Sequence, residues 1–131
     1  MRIQFWGTRG SIATPGPETL RYGGNTPCTA VWTDDGSLII FDCGTGARKL
    51  GLSLAKSGPL RAHLFIGHTH ADHIQGLPFF VPAFLPGSHL TIYGPAGIDR
   101  SFCFRGELFR GVCERARPGA HPLGAIRAVD A

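Results

Sequence analysis

An α/β fold is predicted for this 131-residue chain by three observations. Short apolar runs, each bounded by glycine, proline or aspartate, recur through the first hundred residues and read as strands. One stretch between them, Thr45–Gly58, carries apolar residues at helical spacing. The 43% hydrophobic and 17% charged fractions are those of a globular chain with one core, which excludes wholesale disorder.

The first strand is Arg2–Trp6, "RIQFW", ended by Gly7. A long loop follows over 7–27, punctuated by Gly10, Pro15, Gly16, Pro17, Gly23, Gly24 and Pro27; loops of that length inside a domain tend to be functional or disordered. "CTAVWTD" and "SLIIFDC" then pair as a hairpin about a two-residue turn at Asp35-Gly36. "LIIF" is continuously apolar, which implies cover on both faces. In the helix, Ala47, Leu50 and Leu54 share one side, and Gly58-Pro59 stops it. "AHLFIG" is a further strand, and "HIQGLPFFVPAF" is at most a short helix because Pro78 and Pro82 break it. "SHLTIYGP" is the last clear strand. These elements assign residues 1–100 to one unit, with 101–131 an atypical tail lacking either period; "FRGELFRGVCERA" is its one candidate helix.

Charge and cysteine usage narrow the class. The net charge of +4 is spread evenly, +2 before residue 101 and +2 after it, so no basic patch for nucleic acid is legible. Cys28, Cys43, Cys103 and Cys113 contain no C-x-x-C pair, which argues against a cysteine zinc site. With a two-residue turn, Cys28 would face Cys43 at a hydrogen-bonded position with Cα atoms ~5.5 Å apart, awkward for a disulfide; free, buried thiols are expected. No apolar run approaches the ~20 residues of a membrane span, and the N-terminus lacks signal-peptide character, so a cytoplasmic protein is expected.

The chemistry concentrates in "GHTHADH". Half of the six histidines, His68, His70 and His73, fall with Asp72 inside six positions directly after an apolar strand. A strand running into a loop delivers such side chains to one point. Neutral imidazoles and a carboxylate suit Zn²⁺ at ~2.0–2.2 Å, with Mn²⁺ or Fe²⁺ also compatible. The alternative is a structural turn in which Asp72 caps a helix, but that gives no reason for three imidazoles beside a carboxylate.

His68-Thr69-His70-Ala71-Asp72-His73 matches an H-x-H-x-D-H signature. Together with "GTRGS", "YGGNTPC", "IIFDCGTG" and "HIQGLPFF…IYGP" it makes the chain, from Met1 to about Arg100, resemble the metallo-β-lactamase-fold hydrolases of the phosphodiesterase and ribonuclease Z-like branch. The resemblance implies an αββα sandwich with two zinc ions at one edge of its sheets, of which only the N-terminal half would be present. It implies that His68 and His70 hold the first ion, that Asp72 and His73 hold the second, and that Asp72 orients the attacking water and passes on its proton. Asp42, at the end of "IIFD", resembles a position near the site, either supporting a ligand or bonding nearby backbone. The implied substrate is a small-molecule, nucleotide or nucleic-acid phosphodiester, with thioester or lactone hydrolysis the alternative.

The family pattern also needs a further histidine, a bridging aspartate and a late histidine. After His73 there remain only His89, His121, Asp99 and Asp130. His89 lies in a strand and reads as structural, His121 is the candidate late ligand, and Asp130 is expected to fray. The arginine-rich, lysine-free tail has the composition of an out-of-frame or remodelled segment. Half a sandwich would leave Ile39, Phe41 and Phe65 without a facing layer, predicting a homo-oligomer, a complementing chain or aggregation. Two functions are carried forward: a metal-dependent hydrolase, and a non-catalytic fragment or interaction protein that keeps the motif.

Overall fold

The computed structural model describes residues 1–95 and the backbone of a strand at 123–130. Six strands form one mixed sheet in chain order: β1 (Arg2–Gly7), β2 (Cys28–Trp32), β3 (Leu38–Phe41), β4 (Arg61–Phe65), β5 (His89–Pro95) and β6 (Leu123–Asp130). β1, β2 and β3 pair antiparallel, β3, β4 and β5 pair parallel, and β6 returns antiparallel to β5. The α/β class stands. β6 gives part of the tail a place in the sheet, and Asp130, expected to fray, is paired there with His89. The candidate helix at 104–116 lies outside the described residues.

Helix α1 (Gly46–Leu54) joins β3 to β4 by the crossover that parallel strands require. It buries Ala47, Leu50 and Gly51 and continues as a 3₁₀ turn to Ser57. A one-turn helix α2 (Ala71–Ile74) and two 3₁₀ turns, Leu77–Phe79 and Val81–Phe84, join β4 to β5. Each of those 3₁₀ turns has proline in its first two positions, where a missing N–H costs nothing. Together α1 and the turns cover one sheet face. Ala30, Leu38, Ile40, Leu64, Leu90 and Ile92 of that face are buried against Leu50, Leu77 and Phe80. A leucine or isoleucine taken fully out of water stabilises by about 1.5–3 kcal/mol, so this single layer of contacts is the core. No helix among the described residues is long and apolar enough to cross a membrane.

The opposite face has no covering layer among the described residues. The register aligns Phe5, Thr29, Phe41, Phe65 and Tyr93 in one row, and Ile3, Val31, Ile39, His63 and Thr91 in the next. Phe5 is 69% exposed, Phe41 47% and Phe65 37%, so cover on both faces of "LIIF" is overturned. The unfaced layer anticipated at Ile39, Phe41 and Phe65 is what β3 and β4 present. Phe41 stacks on Phe65 at 5.6 Å and Phe65 on Tyr93 at 4.4 Å between ring centroids.

The hairpin differs from expectation by one residue. Thr33 pairs with Ser37 across a three-residue loop, and Gly36 takes the left-handed conformation, φ 87°, that closes it. The register is therefore Trp32↔Leu38 and Thr29↔Phe41, which shifts Cys28 away from Cys43 in the pairing. Both thiols are free and buried, as anticipated.

Candidate metal centre

β4 runs parallel to β3, so its C-terminal end lies beside Asp42, the residue following β3. The Gly67 N–H donates to Asp42 Oδ1 at 2.9 Å, and the Asp42 N–H donates to the Phe65 carbonyl at 2.8 Å. These two bonds hold the point where the chain leaves the sheet. His68, Thr69 and His70 then run exposed beyond it, with His70 extended at the N-cap of α2. The single turn of α2 brings Asp72 and His73 back over the strand end. Its placement is fixed by the backbone after β3: the Cys43 N–H donates to the His73 carbonyl at 2.7 Å, and the Gly76 N–H donates to the Cys43 carbonyl at 2.8 Å. The approach is so close that a Cβ at Gly76 would collide with the Gly44 carbonyl oxygen.

The result is a convergent donor set. One ligand atom from each of His68, Asp72 and His73 lies within 4.8 Å of the other two. His73 Nε2 is 3.5 Å from Asp72 Oδ2. Two ligands ~2.1 Å from one tetrahedral cation are ~3.4 Å apart, so this pair already has metal spacing and the third needs a shift of about an ångström. The set therefore fits a zinc-sized cation. The His68 and His73 ring centroids are 4.0 Å apart. His70 stands edge-on to His68 at 4.6 Å, exposed, and outside the three-residue group.

The electrostatics favour a cation there. The Ser11 N–H donates to Asp72 Oδ2 at 2.9 Å and holds that carboxyl below its usual range, helped by its own backbone and by His73 and His68. Asp72 is accordingly an anion at neutral pH, although almost out of solvent. Asp42 Oδ2 lies 2.9 Å from His73 Nδ1 without the alignment of a hydrogen bond. That contact places negative charge behind an imidazole whose other nitrogen faces the cluster, as supporting carboxylates do behind metal-bound histidines. Both Ser11 (φ 74°) and Asp42 (φ 59°) occupy the left-handed region. A non-glycine residue there costs of order 1 kcal/mol and persists where the surroundings hold it.

The remaining expected residues are distributed as follows. His89 opens β5 opposite Arg61, the first residue of β4, and Asp130 pairs with His89; both belong to the end of the sheet remote from the cluster. His121 and Asp99 lie outside the described residues. A cleft lined by Arg2, Trp6, Trp32, Leu50 and Ser57 is on the α1 side of β1 and β2, away from the histidines.

Sequence reasoning missed two contributors. Ser11 acts through its backbone N–H, which any residue carries, so only the length of the 7–27 loop pointed toward it. Thr26 is fully buried, and its Oγ1 accepts from the Thr45 N–H at 2.8 Å and the Gln75 amide at 3.2 Å. Its own N–H donates to Thr45 Oγ1 at 2.9 Å. It thus ties the long loop to the start of α1 and to the residue after α2.

Comparison with known proteins gives a consistent family. The chain is 34% identical over 116 residues to ribonuclease Z of Methanosarcina acetivorans, covering 86% of this chain and 34% of the relative. It is 36% identical over 101 residues to the Methanosarcina mazei enzyme, covering 74% and 30%, and 37% identical over 105 residues to that of Lactobacillus gasseri, covering 76% and 32%. The chain spans about a third of the length of these curated relatives. No family model matches, and no solved structure matches.

Proposed function

We propose that this chain, 34–37% identical to ribonuclease Z relatives of which it spans about a third, carries metal-holding residues of a metallo-β-lactamase-type hydrolase cleaving phosphodiester bonds, with RNA among its substrates. The observation that carries this reading is the convergence of His68, Asp72 and His73, with Asp72 kept ionised by the Ser11 N–H. Residues 1–100 then form the N-terminal half of an αββα sandwich whose strands β1–β5 supply one of the two sheets, and the tail 101–131 adds β6 at its edge. His68 and His70 hold one cation and Asp72 and His73 its neighbour, His70 turning inward from its exposed position.

Zinc held there, or Mn²⁺ or Fe²⁺, supplies Lewis acidity at the phosphoryl oxygens and lowers the pKa of water toward neutrality. The protein's own part is positional. Asp72 accepts a proton from the attacking water on the oxygen not engaged by Ser11 and orients that water in line with the leaving group. Asp42 fixes the ring of His73 by charge, and Thr26 locks the loop that carries Ser11.

A second reading has support of its own. The sheet face left uncovered among the described residues suits a non-catalytic interaction protein that retains the motif. Metal analysis of the purified chain after dialysis against zinc, run beside a generic phosphodiester assay, separates them. Near two equivalents of zinc with turnover abolished in His68→Ala supports the hydrolase. Less than one equivalent with no turnover refutes catalysis by this polypeptide and supports the second reading.

A further inference from the structure

The 7–27 loop is tied down along its length, which makes it a fixed wall beside the metal centre. The Thr8 and Arg9 N–H groups both donate to the Asn25 carbonyl, at 3.1 and 3.0 Å, and the Thr14 N–H donates to the Gly24 carbonyl at 2.9 Å. Between these ties the Ile12 N–H donates to the Gly10 carbonyl at 3.1 Å around Ser11, whose φ of 74° belongs to the rare, strained form of the γ-turn. Such strain persists where the surroundings hold it and gathers at functional sites. Two contacts hold it here: the Ser11 N–H on Asp72 Oδ2 at 2.9 Å, and Arg9, whose Nε donates to the Ile12 carbonyl at 3.0 Å. Two residues span at most ~7 Å, so these bonds keep Arg9 Nε within about 13 Å of the Asp72 carboxylate.

We propose, resting on the phosphodiester reading of the metal centre, that the Arg9 guanidinium grips a phosphate flanking the scissile bond, so that the substrate is an oligonucleotide strand rather than an isolated ester. With Nε engaged by the Ile12 carbonyl, the four remaining N–H donors of this exposed side chain form a planar fork. A fork of that shape matches two oxygens of one phosphate, and because the backbone already fixes it, less rotamer freedom is lost on binding. Position selects the role. Arg9 is two residues from the N–H that holds Asp72, and successive phosphates of a single strand recur every few ångströms, so a strand with one phosphate at the cluster brings a neighbour to the fork. An uncharged thioester or lactone offers the fork nothing. The same loop exposes Tyr22 with the Arg21 guanidinium 5.1 Å from its ring centroid, a cationic aromatic surface of the kind on which single-stranded bases stack.

Arg9→Gln isolates the fork. Glutamine carries Nε2 on Cδ, the atom that bears Nε in arginine, so the bond to the Ile12 carbonyl is kept while the charge and the fork are lost. Arg9→Lys does the reverse, keeping the charge without that bond. The full chain, loaded with zinc, is titrated into a fluorescein-labelled 2′-O-methyl RNA hexamer, which resists cleavage, and binding is followed by anisotropy over a range of salt concentrations. Arg9→Gln is expected to raise the dissociation constant about tenfold and to lower the slope of log affinity against log salt by about 0.7, the share of one phosphate on a single strand. Arg9→Lys is expected to keep the slope and weaken binding only about threefold. Arg61→Gln, at the start of β4 and the end of the sheet remote from the cluster, is expected to change neither. Zinc content, measured by mass spectrometry, is expected to be the same in all four chains. Arg9→Gln binding as the parent does, or weakening with the slope unchanged, overturns the role of Arg9 and leaves the hydrolase reading standing. So does an equal loss in Arg61→Gln, or loss of zinc from Arg9→Gln. A zinc-loaded parent that does not bind the strand overturns that reading and the role of Arg9 together.

Discussion

Replacing Thr26 by valine removes one oxygen and nothing else of consequence. Valine matches threonine in shape, and Thr26 is fully buried, so neither a clash nor a cavity follows. What is lost is an acceptor. The Thr45 N–H, at the start of α1, donates to Thr26 Oγ1 at 2.8 Å, and a buried backbone donor left without a partner costs about 1–3 kcal/mol. The Gln75 amide, 3.2 Å away, is half-buried and can turn toward water, which limits its share to under about 1 kcal/mol. The expected destabilisation is about 2–3 kcal/mol, or roughly 8–12 °C in Tm for a chain of this size. Thr26→Ser keeps the acceptor and removes one methyl, so it is expected to cost about 1 kcal/mol. Urea unfolding followed by the fluorescence of Trp6 and Trp32, fitted with a common slope, measures both. A Thr26→Val midpoint equivalent to less than 0.5 kcal/mol of change, or a serine variant as damaged as the valine one, would refute the hydroxyl as the link between loop and helix.

Gly76→Ala drives a Cβ into the Gly44 carbonyl and is expected to cost about 3 kcal/mol, read as a lowered melting temperature beside Gly10→Ala as an uncrowded comparison. Asp42→Asn keeps an acceptor for Gly67 and tolerates the left-handed backbone but removes the charge behind His73. Zinc affinity by competition with a chromogenic chelator should fall about tenfold with little change in unfolding, and unchanged affinity would remove Asp42 from the site. Burial, with Asp42 adding to it, pushes the Cys28 thiol up to about 12. The folded thiol thus keeps its proton over a range in which the unfolded one, near its ordinary 9.0, has lost it, so this stabilisation is complete below that value and declines as pH rises toward 12. The stability difference between the parent chain and Cys28→Ala should accordingly shrink by about 2 kcal/mol between pH 8 and 10.5; a constant difference would show the thiol to be more accessible than the structure has it.

The sequence made the strands and the helix legible because their periods are written in side chains. The metal-type cluster was legible because three imidazoles and a carboxylate after a buried strand have no structural use at that density. Asp35-Gly36 misled by one residue, since Asp-Gly is the signature of a two-residue turn, while here the left-handed Gly36 closes a three-residue one. "LIIF" misled because a continuous apolar run states only that both faces are apolar, and Phe41 shows one of them bare. The roles of Ser11 and Thr26 were not legible: one works through a backbone N–H, and the other is a common residue whose importance lies in what the fold brings to it. The convergence of His68 with Asp72 and His73 depends on the single turn of α2, which no local spacing records.

The order of strand directions has an evolutionary consequence. β1, β3, β4 and β5 all finish at the same rim, since β2 is antiparallel to both β1 and β3. The excursion of 7–27, the turn at 42–45 and the histidine loop therefore gather there, while the other rim holds the tight turn at 33–37. Sequence on the first rim can drift, lengthen and acquire new specificity with little penalty to the layered interior. The second rim is where a single insertion would slip a strand and cost the molecule its shape.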